Sequence, residues 1–149
     1  MKDPAIFAVL NEIGIIEQLA RNRFERAQTD GLRLPQFAVL NHLVRLGDGR
    51  TPGAIARAFQ VPKAAMTNTL QRLEERGLIR LEPDPEDGRA KRVMLTEAGR
   101  ARRHAAVAGA SADLAEAAAG LELEALLPGL AALRAALDKA RAIPTNNSK

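Results

Sequence analysis

From Thr51 to Thr96 the chain sets out two short helical patterns, a glycine stop and a polar hairpin that carries an arginine. Thr51-Pro52 places a capping hydroxyl before a proline at the first helical position, and Ile55, Ala56 and Phe59 then share one face. Gln60-Val61-Pro62 turns the chain. From Lys63 a second helix points Met66, Leu70 and Leu73 inward, with Ala65 and Thr69 beside them, and Gly77 is its expected left-handed terminator. Leu78 to Glu82 and Lys91 to Leu95 are short β candidates. The loop between them, Pro83-Asp84-Pro85-Glu86-Asp87-Gly88-Arg89-Ala90, is too polar and proline-rich to be core. Few architectures accept helix, tight turn, helix and hairpin in that order, and the flanking segments must be fitted around it.

Upstream, Pro4 sits where a first helical turn tolerates proline. Ile6, Val9, Ile13, Ile16, Ala20, Phe24 and Ala27 recur at spacings of three and four, which predicts a helix of about 24 residues. Asp30-Gly31 breaks it. Pro35 opens another helix with an apolar arc of Phe37, Val39, Leu40, Leu43, Val44 and Leu46, with Asn41, His42 and Arg45 opposite, before Gly47-Asp48-Gly49 turns the chain. Downstream, Thr96 caps a helix with Glu97 in its first turn, where the helix dipole favours an anion, and the pattern runs to about Ala119 and Gly120. Its alanine-rich middle permits close approach of another helix but buries little area per residue. Leu123, Leu126, Leu127, Leu130, Leu133, Leu137 and Ala140 form a last amphipathic pattern, which Pro128 either kinks or opens. Residues 144–149 are expected to be disordered.

A hydrophobic content of 46% suffices for one domain, or for one compact unit with an appended dimerisation region. The absence of cysteine excludes disulfides, thiolate metal sites and thiol-based peroxide sensing, and fits a reducing cytosol. The apolar stretch Ile6 to Leu10 is cut by Asn11 and Glu12, far short of the roughly 20 residues that cross a bilayer, so no membrane partner and a cytoplasmic location are expected. There is no phosphate-binding glycine loop and no HExxH, and neither histidine has carboxylates at ligand spacing. No enzyme activity, metal or cofactor is expected.

Charge becomes informative when it is divided along the chain. Residues 1–49 carry six basic and six acidic side chains, residues 50–103 twelve and seven, and residues 104–149 four and five, so the surplus of the net +4 lies wholly in the middle. A basic excess localised on this pattern favours a polyanion, because phosphate neutralisation supplies most non-specific affinity. With Met66, Leu70 and Leu73 turned inward, the opposite face of the second short helix presents Lys63, Ala64, Thr67, Asn68 and Gln71. Asn and Gln can pair bidentately with adenine, and Thr or Ala methyls can contact thymine. The plainer alternative is a solvated face, although such faces usually favour Lys and Glu. Arg72 and Arg76, further along, can reach phosphate or pair with nearby carboxylates such as Glu75.

Residues 32–103 closely resemble the MarR family of winged helix-turn-helix regulators, through LRLPQFAVLNHL, TPGAIARAFQVPKAAMTNTLQRLEERGLI and DPEDGRAKRVMLTEAGR. The last segment carries the family's wing signature as Asp87, Arg89, Leu95 and Thr96. The resemblance implies a mainly α fold with a small β-hairpin wing: an N-terminal dimerisation helix over 1–30, a winged helix-turn-helix over 31–96 and C-terminal dimerisation helices over 97–143. It implies a homodimer on double-stranded DNA, with Arg89 entering a narrow minor groove and Asp87 orienting it. Lys91 and Arg92 would track phosphates, unless the hairpin is merely solvated. Gly88 stands where many members carry a second arginine, and Pro62 where many have a capping Ser or Thr, so wing contacts and a hydroxyl contact to phosphate are fewer.

Many family members also bind small, often aromatic or anionic effectors between the dimerisation helices and the winged domain. Glu17, inside the apolar stripe of the first helix and four residues before Arg21, is expected either to form an intrahelical pair or to serve a pocket or interface. Arg21 and His42 are the other candidate pocket residues, with solvation the alternative for His42 and for His104. The function expected is a sequence-specific, ligand-responsive repressor acting on a pseudo-palindromic site. The competing readings are a low-specificity architectural DNA binder and a winged-helix protein-interaction module, the latter suggested by Glu74, Glu75, Glu82, Asp84 and Glu86 beside the reading surface.

Overall fold

A computed structural model describes residues 2–139. The elements in order are α1 (Ala5–Arg26), α2 (Leu34–Leu46), α3 (Pro52–Phe59), α4 (Lys63–Glu75), β1 (Ile79–Pro83), β2 (Lys91–Leu95), α5 (Glu97–Ala117) and α6 (Leu123–Lys139). The chain divides into two compact units, one ending at Leu114 and the other beginning at Ala115. None of the described helices is long and apolar enough to cross a membrane. Ala140 and the segment 144–149 lie outside the described residues.

The first unit is built on the apolar positions that the spacing marks as inward. Val39, Leu40 and Leu43 of α2, Ile55 and Ala56 of α3, and Met66, Leu70 and Leu73 of α4 are buried together with Leu32, Leu78, Ile79 and Val93. Each large side chain so buried stabilises the fold by about 1.5–3 kcal/mol. Phe24 of α1 and Ala106 and Ala110 of α5 extend the same core, with the Phe24 and Phe37 ring centres 4.6 Å apart. Leu46, expected in the apolar arc of α2, is instead 57% exposed. It is the last residue of the helix, and Gly47, at φ 92°, reverses the chain before that side chain can pack.

Helix ends follow local chemistry. Thr51 Oγ1 accepts the Ala54 N–H at 3.1 Å and starts α3. The turn between α3 and α4 uses no glycine, since Gln60 itself adopts the left-handed conformation at φ 54°, ψ 42°. At the end of α4, Gly77 at φ 69° lets its N–H reach the Glu74 carbonyl while the Leu78 N–H closes on Leu73. Leu78 therefore completes the helix, and the first strand begins one residue later than the sequence suggests.

The hairpin is antiparallel, with Ile79 opposite Leu95 and Pro83 opposite Lys91. Its base is wider than two strands. The Val93 N–H donates to the Arg50 carbonyl at 2.8 Å, the Gly49 N–H donates back to Val93, and Asp48 Oδ1 accepts the Leu95 N–H. Thr96 joins this base to α5: its Oγ1 accepts the Gly99 N–H at 2.9 Å and donates to the Gly77 carbonyl at 2.7 Å. A Cβ on Gly99 would stand 2.0 Å from the Leu78 oxygen, so only glycine fits that approach.

In the second unit α6 begins at Leu123 and continues through Pro128, which removes the reading in which the helix opens at that proline. Leu123, Leu126, Leu127, Leu130 and Leu137 of this helix are exposed.

Candidate nucleic-acid interface

Burial of Met66, Leu70 and Leu73 fixes the rotation of α4, and the residues turned away follow from it. Lys63, Ala64, Thr67, Asn68, Gln71 and Arg72 are all exposed. Gln71 Nε2 donates to Glu75 Oε1 at 3.2 Å, an exposed contact that a stronger partner can displace. Pro62 provides no side-chain cap, as its chemistry requires. Arg76 is already committed: its guanidinium binds Asp30 Oδ2 at 2.5 Å and Gln36 Oε1 at 3.2 Å. Of the two arginines that could reach phosphate or a carboxylate, it takes the carboxylate, on the α1–α2 connection rather than at Glu75.

Asp30 receives a second arginine, Arg102 of α5, on both carboxylate oxygens. This pairing with Arg102, and after it the Leu32 N–H and then the charge of Arg76, holds the Asp30 carboxyl at about 2 against its ordinary 3.8. Arg103 donates twice to Asn41 Oδ1, at 2.9 and 3.1 Å, and Arg23 pairs with Asp113 at 3.0 Å. Three of the twelve basic residues of the middle third, Arg76, Arg102 and Arg103, are thus tied to other segments of the fold.

The wing tip is a pair of local side-chain turns. Asp84 Oδ1 accepts the Glu86 N–H and Asp87 Oδ1 accepts the Arg89 N–H, each at 3.0 Å. Asp87 consequently orients the backbone of Arg89 and leaves its guanidinium exposed. Arg92, expected to track phosphate, pairs with Asp84 at 3.1 Å. The Asp84 carboxyl lies below its ordinary range, chiefly through the Glu86 N–H and next through Arg92. Among the described residues Lys63, Arg72, Arg89 and Lys91 form no ion pair, nor does Arg57 on the exposed face of α3. Arg57 was missed in the sequence, although its place opposite Ile55, Ala56 and Phe59 marks it as outward. A groove of about 250 Å³, lined by Pro52, Thr67, Leu70, Gln71, Glu74 and Leu81, brings the polar face of α4 against strand β1.

A second cleft, of about 360 Å³, is lined by Leu34, Pro35, Ala38, Phe59, Val61, Ala65, Met66, Thr69 and Arg21. Glu17 holds Arg21 in the expected intrahelical pair, with Nε 3.0 Å and Nη2 2.5 Å from one carboxylate oxygen. His42 does not line this cleft. It packs on the Phe59 ring at 5.2 Å, half-buried, with Nε2 buried and without a hydrogen-bond partner. Burial, and secondarily the Arg50 charge, lowers its pKa below the usual 6.5. His104 is exposed, with Nδ1 2.9 Å from the Arg100 carbonyl of its own helix.

Two core-backed helices, a tight turn, an exposed polar face and a hairpin with an unpaired arginine define a winged helix-turn-helix protein. A model of the MarR family matches residues 30–90. Transcriptional activatory protein BadR of Rhodopseudomonas palustris is 33% identical over 75 residues, 49% of this chain; the match spans 43% of that relative's length. A probable transcriptional regulator from Pseudomonas aeruginosa, solved as a crystal structure, is 32% identical with a TM-score of 0.63 over 80% of this chain and 94% of its own. The transcriptional regulator BldR from Sulfolobus solfataricus shares the fold, with a TM-score of 0.78 at 24% identity over 89% of this chain and 99% of its own. Residues 30–90 thus carry the winged helix-turn-helix of the MarR family of transcriptional regulators.

Proposed function

We propose that this protein is a cytoplasmic repressor that binds a pseudo-palindromic operator in double-stranded DNA as a homodimer and releases it on binding a small effector. The observation that carries the reading is the exposed set Lys63, Ala64, Thr67, Asn68 and Gln71 on a core-backed helix, beside a hairpin whose Arg89 forms no ion pair. Side chains of these types suit base edges, while Arg72, Lys91 and Arg57 suit phosphates. Dimerisation is supported by Ile6, Phe7, Val9, Leu10, Ile15, Ile16 and Leu19 of α1, all exposed, an apolar surface that a monomer would leave in water. The apolar cleft beside α4, with Arg21 at its rim, is the place for an effector. Release requires that the effector bind more tightly to a spacing of the two α4 helices that misses successive major grooves.

Selection of genomic fragments by the purified protein at about 0.15 M salt tests the reading, since screening suppresses purely electrostatic binding. An enriched inverted repeat supports a sequence-specific dimer. A folded protein that enriches nothing returns the weight to an architectural or protein-binding role. The relative BadR is named as an activatory protein, so a reporter placed behind the selected site decides the regulatory sense, and higher transcription with the protein present would overturn repression.

A further inference from the structure

Glu74 occupies the same face of α4 as Thr67 and Gln71, seven and three residues further along, and lines the same groove. A carboxylate there would repel the phosphates beside which the proposed reading face must dock. Its oxygen is engaged elsewhere. Glu74 Oε2 accepts the backbone N–H of Leu81 at 2.9 Å, and its carbonyl accepts the Gly77 N–H that terminates α4.

The strand geometry explains why that N–H is available. Leu81 lies opposite Val93, whose N–H and carbonyl are both turned to the Gly49–Arg50 segment. The Leu81–Val93 pair is therefore a non-hydrogen-bonded one, and the Leu81 N–H points to the open edge of β1. At its base the hairpin is held by Asp48, Arg50 and Thr96. Glu74 holds the open edge of β1 at the same rung as the Arg50–Val93 bridge, two residues above the Asp48–Leu95 bond, and ties that edge to α4.

We propose that Glu74 is a positioning residue that sets the offset between the reading helix and the wing, so that the contribution of Arg89 to binding depends on it. This inference rests on the DNA-binding reading above. Without that bond the hairpin would keep its hold on the Gly49–Arg50 segment along β2 but lose the tie from β1 to α4, so the tip would take up more positions relative to that helix and Arg89 would lose free energy in being ordered on the duplex.

The test is a double-mutant cycle on the selected operator with Glu74→Ala, Glu74→Gln and Arg89→Ala, alongside amide exchange of Leu81 in the free protein. Glu74→Ala is expected to weaken operator binding by about tenfold and to reduce the effect of adding Arg89→Ala to less than about twofold. Glu74→Gln, whose amide oxygen accepts the same N–H, should recover most of the loss. Leu81 exchange should quicken by about tenfold in Glu74→Ala, with the melting temperature little changed, and return towards the wild-type rate in Glu74→Gln. A full Arg89→Ala penalty in the Glu74→Ala background would overturn the proposal, as would unchanged Leu81 exchange. If the wild type selects no operator, the DNA-binding reading fails with it, and the Leu81 exchange rate alone shows whether the anchor exists.

Discussion

Arg89 and Asn68 divide the proposed recognition between them. Arg89 offers a charge at the tip of a hairpin, and Asn68 offers a planar donor and acceptor on a rigid helix. Arg89→Ala should weaken DNA binding and lower its salt dependence while leaving the oligomeric state intact; an unchanged salt titration would remove the wing from the mechanism. Asn68→Ala should flatten the preference for operator over random DNA, and a preserved ratio would show that α4 does not read bases. His42 makes a different kind of prediction. Its folded pKa lies below 6.5 because the ring is half-buried on Phe59 and near Arg50. The unfolded chain then binds the proton first, so the stability His42 contributes is complete above about pH 6.5 and is lost as the pH falls through its depressed folded value. Melting between pH 7.5 and 5 should show the decline, and His42→Gln should flatten it.

Among elements, the close approach of α5 to the end of α4 is the least forgiving. Gly99→Ala would drive a methyl into the Leu78 carbonyl and the Leu95 side chain, and should cost about 3 kcal/mol in denaturant unfolding. The helices themselves were legible in the sequence, because three- and four-residue apolar spacing, Thr51-Pro52 and Gly77 act within one turn of where they stand. The polar face of α4 was legible for the same reason, as the complement of Met66, Leu70 and Leu73. What joins the elements was not. The Arg50–Val93 bridge, the Arg102–Asp30 pair and the Glu74–Leu81 bond leave no periodic trace, since each depends on where two separate segments end up in space. The acidic residues beside the reading face illustrate the consequence. In sequence they argue for a protein partner, yet in the fold Glu74 fastens the wing and Asp84 neutralises Arg92.

For the whole molecule, the exposed apolar face of α1 makes the folded monomer and the proposed dimer testably different species. Ile16→Glu, at an exposed apolar position that is not part of the first unit's core, should shift sedimentation from dimer to monomer while leaving the helical content of the chain unchanged. A variant that still sediments as a dimer would move the interface away from α1. Operator binding should fall together with dimerisation, because one half-site contact alone forfeits the gain from linking two.

The Thr96 hydroxyl sits between the Gly77 carbonyl just beyond α4 and the Gly99 N–H in the first turn of α5. Both bonds run through one oxygen, so a rotation of α5 about its start either carries the end of α4 with it or breaks one of the two bonds.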